Sequence, residues 1–544
     1  MHSIKSSTPV FGSSEEPYLY SDERGEYQNR GILVFSSVLL RSGIPYGANS
    51  GILIFQGHSL IRRLGKVAGK PAKHLGKVAK LIYICLGKVA TTMLNRKIDN
   101  IIEKHFATTK KSLLLTGARQ VGKTYAIRRY ANQHGLNLVE MNFLLQPETI
   151  AIVKGAGDVK ELLLRISAYA RKPLQPGKTL IFFDEVQEYA DIMTWVKALV
   201  DEGSYKYALS GSLLGIEMRN IRSVPVGYMS EYQAYPLDFE EFALNVGLPA
   251  TVLASLREAW ENKTPVDEFI HQKMMQLFGL YLIVGGMPAA VQAYVDTNNI
   301  QKVVKEQRDI LNLYKLDIAR YDKDERKKLY INEVFDLIPS ELNAKNKRFI
   351  LKRLNEYMTF SRHENDFIWL KDADMALPTY NVEEPVAPLK LNEQRNLFKL
   401  FQNDVGLLSC QYSSGGIQLK ILQGEVNVNY GAVFENAVAQ EFHAHGWDLY
   451  YFTSKKQGEI DFLLETNDGI IPVEVKSGKD YERHNALNGL MLNPDYGIKK
   501  SYVLCNGNVH IDGDVYYLPI YMVIFIRKVQ ESEDLIYKLD LSGL

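Results

Sequence analysis

The sequence predicts an α/β fold, because short apolar segments alternate along the chain with segments of helical periodicity. Ser112–Thr116 is an apolar run typical of a buried strand, and residues 123–134 follow it with the pattern of a helix. Residues 138–142 predict a second strand, and Val159–Ala170 a second helix. Thr179–Asp184 predicts a third strand. A glycine directly follows the first strand and an acidic residue the third, so we expect functional residues at these two strand ends.

Residues 117–124 read GARQVGKT and fit the phosphate-binding pattern G-x-x-x-x-G-K-[ST]. Glycines let such a loop turn tightly and aim backbone N–H groups at phosphates, and the N-terminus of the following helix favours anions. Lys123 is placed to reach the β- and γ-phosphates, and Thr124 to hold Mg²⁺. A chance match is the alternative, but the flanking strand and helix argue against it. We therefore expect ATP to bind at Gly117, Ala118, Arg119, Gln120, Val121, Gly122, Lys123 and Thr124.

The composition is that of an ordinary globular protein, with 46% hydrophobic and 23% charged residues. The 544 residues suffice for several domains. A formal net charge of +1 gives no global field for nucleic acid or a membrane, so such binding needs a local patch. Three scattered cysteines suit a reducing, cytoplasmic location. The apolar runs near residues 31–40 and 81–86 are too short to span a bilayer, so no membrane partner is expected.

Residues 1–92 differ from the rest of the chain. No Asp or Glu occurs in residues 28–98, and the pentapeptide LGKVA occurs there three times, at 64–68, 75–79 and 86–90. One interpretation is a basic arm for nucleic acid or anionic lipid. We favour the other, which is a translated DNA repeat upstream of a natural start at Met93. In either case we expect residues 1–92 to be poorly ordered and to carry no chemistry.

Two acidic residues end the third strand. In phosphate-loop ATPases the first acid here holds Mg²⁺ through water and the second orients the attacking water, which assigns these roles to Asp184 and Glu185. The stretch between Lys123 and Asp184 leaves room for one intervening β-α unit. A helix N-cap is the alternative explanation for such acids. The pair therefore predicts hydrolysis of ATP in addition to binding.

Residues 207–212 predict another strand, which ends in Ser-Gly-Ser. Ser210 or Ser212 is placed to sense the γ-phosphate, and plain turn chemistry is the alternative. Arg219 and Arg222 follow this segment. An arginine here can act as a finger supplied to a neighbouring subunit, which would require a homo-oligomer, and an ordinary surface role is the alternative.

Several motifs together resemble a prokaryotic family of AAA-type ATPases that carry a C-terminal domain of unknown function. They lie at residues 117–124, 183–185, 209–212, 235–242, 284–288 and 314–320. The resemblance runs from about Met93 to the C-terminus. It implies the parallel sheet of a P-loop NTPase, with an extra strand between the two nucleotide-binding strands. The family usually has a glycine–arginine pair after Ser-Gly-Ser, but Tyr228 follows Gly227 here, which leaves Arg222 only a candidate finger.

The chain is expected to divide into segments of different character. Residues 93–240 form the ATPase domain, and residues 241–324 form a helical lid over the nucleotide. Residues 325–394 are expected to be winged-helix-like, because helices precede short extended pieces at 366–370 and 378–382. A winged helix binds DNA or contacts protein, and the basic residues between 343 and 353 suit either DNA or a solvated helix face. Residues 395–544 form the C-terminal domain.

An acidic constellation marks this C-terminal domain. Glu435 lies on a predicted helix, Asp461 on a strand, and Glu474 and Lys476 share one face of the next strand. Asp461 and Glu474 can hold Mg²⁺, while Lys476 can position or polarise the water that attacks a phosphodiester. This order of elements resembles the restriction-endonuclease-like fold, in which Glu435 matches the helical acid. A surface salt bridge is the alternative, and intact acids do not by themselves establish cleavage.

Together these features predict a cytoplasmic ATPase whose hydrolysis controls a nuclease-like domain that binds or processes DNA. The predicted catalytic residues are Glu185, Ser210, Arg222, Glu435, Asp461, Glu474 and Lys476, and the predicted metal ligands are Thr124, Asp184, Asp461 and Glu474. The alternative is a nucleotide-dependent switch or scaffold, whose nuclease-like domain is inactive and binds a protein partner. DNA binding that weakens steeply with salt would separate the two.

Overall fold

The computed structural model describes residues 93–212, 227–321, 324–344, 347–350, 367–412, 418 and 431–528. The chain divides into two units, residues 1–90 and 91–544, and all described residues belong to the second. The predictions for residues 1–92 therefore lie outside the described residues. The two candidate arginine fingers, Arg219 and Arg222, lie outside them as well.

A five-stranded parallel sheet forms the first half of the described chain. Its strands are β1 (Ser112–Thr116), β2 (Asn137–Asn142), β3 (Thr179–Asp184), β4 (Lys206–Ser210) and β5 (Met229–Gln233), in the order β2-β3-β4-β1-β5. Because β4 pairs with both β1 and β3, it separates the two strands that carry the phosphate loop and the acidic pair. This confirms the extra strand that the resemblance implied.

Helices pack on both faces of this sheet. They are α1 (Lys97–Thr108), α2 (Lys123–Gln133), α3 (Glu148–Lys154), α4 (Val159–Ala170) and α5 (Met193–Glu202). Alternate residues of β1 enter different cores: Leu113 packs with residues of α1 and α2, whereas Leu114 packs with residues of α4 and α5. All residues of β3 are buried, as expected for a strand covered on both sides.

The segment after β5 is helical, as predicted. It contains α6 (Phe239–Asn245), α7 (Ala250–Asn262), α8 (Glu268–Val284), α9 (Pro288–Thr297), α10 (Ile300–Tyr321) and α11 (Glu325–Leu342). Side chains cap several of these helices at the N-terminus. Asp238 and Glu241 form a capping box at the start of α6, and Asp267 accepts hydrogen bonds from the first turn of α8.

A mixed eight-stranded sheet forms the second half of the described chain. Its strands are β6 (Ala376–Val382), β7 (Glu393–Gln402), β8 (Tyr450–Ser454), β9 (Gly458–Thr466), β10 (Gly469–Val475), β11 (Ser501–Cys505), β12 (His510–Asp512) and β13 (Val515–Pro519). Their order is β12-β13-β11-β10-β9-β8-β6-β7. The accompanying helices are α12 (Val405–Gln411), α13 (Gly431–Ala444) and α14 (Asn485–Met491).

The strand expected near residues 378–382, in a separate winged-helix-like segment, belongs to this second sheet instead. β6 pairs antiparallel with β7 and parallel with β8, where Tyr380 lies opposite Tyr450. The boundary predicted between residues 394 and 395 therefore falls inside β7. Residues 367–372 are helical, although residues 366–370 were expected to be extended. Local periodicity located the strand near 378–382, but it does not report which distant strand pairs with it.

One hydrophobic core extends from the first sheet, through the helical segment, to the second sheet. α13 is buried along most of its length. Its Phe434 packs edge-to-face against Phe278 of α8, which packs in turn against Phe239 of α6. None of the helices in the described residues has the length and apolar character needed to cross a membrane.

Candidate nucleotide site and C-terminal acidic cluster

The phosphate-binding loop connects β1 to α2 at the carboxyl end of the parallel sheet. Gly117 and Gly122 have φ angles of 121° and 93°, in the region that favours glycine. A Cβ atom at Gly117 would also overlap the carbonyl oxygen of Ala234, so a side chain is excluded there. α2 begins at Lys123, directly after the loop. The N-terminus of α2 therefore lies where the motif predicts that an anion binds.

Lys123 is held against its own loop. Its Nζ donates hydrogen bonds to the carbonyl oxygens of Gly117 at 2.8 Å and Ala118 at 2.7 Å. Burial lowers the pKa of Lys123 to about 8, although the neighbouring carboxylates of Glu185 and Asp184 oppose this shift. The ammonium group is thus preorganised beside the loop where phosphates would bind.

Asp184 lies at the centre of a polar network next to the loop. Thr124 Oγ1 donates to its carboxylate at 3.1 Å, and Asn142 Nδ2 donates at 2.8 Å. Ser210 Oγ donates to the same carboxylate. Burial raises the pKa of Asp184, and the hydrogen bonds from Ser210 and Thr124 oppose that rise. Thr124 and Asp184 are therefore close enough to share one Mg²⁺ ion, as the sequence predicts.

Glu185 follows β3 with a left-handed backbone, at φ 57°. Its Oε2 accepts hydrogen bonds from Gln187 Nε2 at 2.6 Å and Ser212 Oγ at 3.2 Å. The two serines are therefore divided between the two acids, since Ser210 contacts Asp184 and Ser212 contacts Glu185. The sequence analysis did not select Asn142. This polar residue ends β2, the strand next to β3, and that position could have marked it as a candidate site residue.

Two acidic residues from outside the parallel sheet also touch the loop. Asp317 of α10 pairs with Arg119, with 2.7 Å between Oδ1 and Nη1. Asp374, which lies just before β6, accepts a 3.3 Å hydrogen bond from the backbone N–H of Ala118. Asp374 Oδ1 also lies 3.1 Å from His443 Nε2 on α13. The sequence motif at residues 314–320 includes Asp317 but assigns it no role, and no motif includes Asp374. The two loop contacts could not be predicted, because each joins residues far apart in the chain.

The C-terminal residues chosen from sequence do come together. Glu435 and Asp461 both lie 3.6 Å from Lys399 Nζ. Asp461 accepts a 2.9 Å hydrogen bond from the backbone N–H of Val475, next to Glu474. Lys476 pairs with Glu474 at 3.2 Å. The helical acid and the strand residues therefore form one buried acidic cluster.

Two lysines that the sequence analysis did not select also belong to this cluster. Lys399 of β7 is fully buried, and its Nζ lies 2.7 Å from Glu459 Oε1. Lys347 contacts Glu435. Burial alone would raise the pKa of Asp461, but Lys399 and Lys347 hold it below its usual range. Burial and the charge of Asp461 raise the pKa of Glu474 to about 8. Lys399 could have been noticed in the sequence, because it is a charged residue within the apolar run of β7.

The parallel sheet and its glycine loop define a P-loop nucleoside-triphosphate-binding domain. Residues 109–243 match the family described as an AAA domain. Residues 275–416 and 430–523 match two families described as domains of unknown function, DUF8612 and DUF4143. The chain thus carries an AAA-type ATPase domain. No curated protein matches the chain.

Two of the solved structures that match the chain share little sequence with it. One is the Walker-type ATPase paby2304 of Pyrococcus abyssi, at 15% identity and a TM-score of 0.36, covering 60% of this chain and 97% of that one. Another is a RuvB variant of Thermotoga maritima, at 14% identity and a TM-score of 0.25, covering 52% of this chain and 89% of that one.

Proposed function

We propose that the chain is an ATP-hydrolysing switch whose nucleotide loop is in direct contact with the C-terminal α/β sheet. The observation that carries this proposal is the hydrogen bond from Ala118 N–H to Asp374. Asp374 is buried and also contacts His443. One carboxylate therefore joins the phosphate-binding loop to both β6 and α13.

Each residue of the nucleotide site has a role in this proposal. Lys123 and the N-terminus of α2 bind the phosphates of ATP, and Thr124 and Asp184 bind Mg²⁺. Glu185 orients the attacking water, with Ser212 and Gln187 fixing its carboxylate. Ser210 lies beside Asp184, where it can respond to the γ-phosphate. Arg222 would complete the site from a neighbouring subunit of a homo-oligomer.

The charge of the nucleotide supplies a physical reason for coupling. Burial lowers the pKa of Lys123, and the charge of Asp374 is close enough to oppose this shift, as the charges of Glu185 and Asp184 do. A γ-phosphate would bring further negative charge to the same loop, and like charges repel at short range. ATP would therefore weaken the contact between Ala118 and Asp374, and release of phosphate would restore it. β6 and α13 would move with Asp374.

Hydrogen exchange on the full chain tests this proposal. We expect a non-hydrolysable ATP analogue and ADP to give different exchange rates in residues 371–382 and 436–446. Asp374→Ala should abolish the difference while the analogue still binds. Glu384→Gln is a matched control, because Glu384 is an exposed acid beyond the other end of β6. Exchange differences confined to residues 93–240 in the unmodified protein would exclude the coupling.

The convergence of Glu435, Asp461, Glu474 and Lys476 favours a second candidate function, in which the C-terminal cluster binds or cleaves DNA. Asp461 and Glu474 would hold Mg²⁺, and Lys476 would position the attacking water. The ammonium of Lys399 lies among the same carboxylates and would compete with the ion.

Incubation of DNA with the full chain and Mg²⁺ or Mn²⁺ tests the second candidate. If the second candidate function is correct, the chain should cleave DNA, or bind it with an affinity that falls steeply as salt is added. Asp461→Ala should lose the metal-dependent activity. Intact DNA and no salt-dependent binding would exclude it. The switch would then act on a protein partner.

A further inference from the structure

Three metal-ligating side chains meet where α6 begins beside the end of α13. Asp238 precedes α6, Glu441 lies on α13, and His445 follows that helix by one residue. Glu441 and His445 are four residues apart, so they share one face. The three side chains are at least 95% buried, with exposures of 5%, 0% and 3%. Neither the nucleotide site nor the acidic cluster uses them.

Hydrogen bonds to one carboxylate oxygen fix the orientation of Asp238 and of Glu441. Asp238 Oδ1 accepts from the backbone N–H of Glu241 at 2.9 Å. Glu441 Oε1 accepts from the backbone N–H of Phe239 at 2.6 Å and from the hydroxyl of Tyr281 at 3.1 Å. These bonds direct Asp238 Oδ2 and Glu441 Oε2 towards the same point.

The hydrogen bond of His445 decides which of its ring nitrogens is available. Nδ1 lies 3.1 Å from the carbonyl oxygen of Ile526, which can only accept, so Nδ1 carries a proton. In neutral imidazole Nε2 then presents a lone pair. Metal-binding histidines are commonly held in this way, with the second nitrogen donating to a carbonyl.

The three central atoms lie close together, and of the three only Asp238 Oδ2 accepts a hydrogen bond among the described residues, from Lys97 Nζ. His445 Nε2 lies 3.7 Å from Asp238 Oδ2 and 3.7 Å from Glu441 Oε2, and all three atoms are within 4.8 Å of one another. Among the described residues, no hydrogen-bond partner is present for Glu441 Oε2 or His445 Nε2. A buried polar atom without a partner is costly. Ligands of a tetrahedral zinc ion lie about 3.4 Å apart, close to the observed spacing.

Of the nearby cations, Lys97 pairs with Asp238 itself, whereas Arg527 and Arg96 pair with carboxylates outside the three side chains. Lys97 contacts Asp238 and lies 2.6 Å from Glu240 Oε2, and Arg527 contacts the same Glu240. Arg96 pairs with Glu241 at 3.2 Å. Burial and the charge of Asp238 raise the pKa of Glu441 to about 8, as expected for a carboxylate with too little positive charge around it.

We propose that Asp238, Glu441 and His445 bind one divalent transition-metal ion of the Zn²⁺ class. One imidazole nitrogen and two carboxylate oxygens suit Zn²⁺ better than Mg²⁺, which prefers oxygen ligands and retains several waters. Such an ion would tie the start of the helical segment to α13 of the C-terminal part. Lys97, whose side chain is 38% exposed, would compete for Asp238 Oδ2 and would have to turn away from that oxygen when the ion binds.

Metal titration of the full chain without nucleotide tests the proposal. Calorimetry with Zn²⁺ should give one site per chain, and Co²⁺ should give an absorption spectrum typical of mixed nitrogen and oxygen ligands. His445→Gln and Glu441→Gln should each weaken binding at least about 100-fold, because each removes a ligand. Tyr281→Phe should weaken it roughly tenfold, because it removes a hydrogen bond to Glu441. Lys97→Met should tighten binding.

Controls separate this site from others in the chain. His134→Gln, at an exposed histidine of the ATPase domain, and Glu384→Gln, at an exposed acid beyond β6, should leave the affinity unchanged. Circular dichroism and ADP binding confirm that each variant is folded. Absence of Zn²⁺ binding in the unmodified protein would overturn the proposal. So would binding that survives His445→Gln and Glu441→Gln, or that Lys97→Met does not strengthen.

Discussion

Lys123 is held beside the phosphate loop by the loop itself. Two carbonyl oxygens of the loop hold its ammonium group, so less side-chain freedom has to be lost on binding. Asp184 is equally constrained, by Thr124, Asn142 and Ser210. Motif spacing could predict Lys123, Thr124 and Asp184, because the loop and the strand end are local features. It could not predict Asn142, because that contact depends on which strands are neighbours.

The affinity for ATP should fall as pH rises through about 8. The pKa of Lys123 is lowered by burial to about 8, so the free protein loses this proton in a range where ordinary lysines keep theirs. ATP binds better to the ammonium form, so affinity should decrease by up to about tenfold per pH unit above the pKa. Calorimetry between pH 7 and pH 9 measures the effect. Lys123→Arg, which stays charged, should bind with little pH dependence, and a parallel decline in that variant would contradict this explanation.

Glu185→Gln should preserve ATP binding and lower kcat by roughly 10²- to 10⁴-fold, because the amide keeps the shape but cannot act as a base towards water. Single-turnover hydrolysis and nucleotide titration measure the two quantities separately. Asp191→Asn is a matched control at an exposed acid of the segment that follows Glu185, and it should hydrolyse ATP normally. Near-normal turnover in Glu185→Gln would remove Glu185 from the proposed role.

β7 and α13 show how a single element can serve two parts of the molecule. β7 supplies Lys399 to the acidic cluster and forms the edge of the second sheet. α13 carries Glu435 to that cluster and His443 to Asp374, while its Phe434 packs on α8. The helix itself and its acid Glu435 were predicted from the sequence. Its neighbours on the other faces were not, because they come from elements distant in the chain.

Lys399→Ala should destabilise the protein by about 3–5 kcal/mol, because it leaves several buried carboxylates without their partner. Urea unfolding measures the free-energy change. Lys390→Ala is a suitable comparison, since Lys390 is 67% exposed and pairs with Glu393 at 3.8 Å. We expect at most about 1 kcal/mol there. Similar losses for both variants would mean that Lys399 is not needed to neutralise the cluster.

At the scale of the whole molecule, the two sheets and the helical segment share one hydrophobic core. Elements that the sequence suggested were separate domains are therefore packed as one unit, residues 91–544. Loop contacts agree with this, since Asp317 and Asp374 reach the phosphate loop from the helical segment and from the second sheet. Nucleotide binding and the stability of the C-terminal part are expected to be linked for the same reason.

A fragment that begins at residue 395 should not fold, because this cut removes β6 and divides β7, which form one side of the second sheet. Circular dichroism and thermal melting should show no cooperative transition for the fragment. The fragment 93–544 is the matching control, and we expect it to melt cooperatively and to bind ATP. A cooperative melt of 395–544 would show that the second sheet is stable without β6.

The sequence by itself was enough to predict the residues of the nucleotide site, because a glycine loop between a strand and a helix, and acids at a strand end, are local patterns with local physical causes. It also located the helical acid and the strand residues of the C-terminal cluster. Only the tertiary structure decided that β6 and β7 complete the second sheet, that Lys399 lies among the acids, and that Asp374 touches the phosphate loop. These contacts join residues far apart in the chain, and the packing of a shared core, which no local pattern records, brings them together.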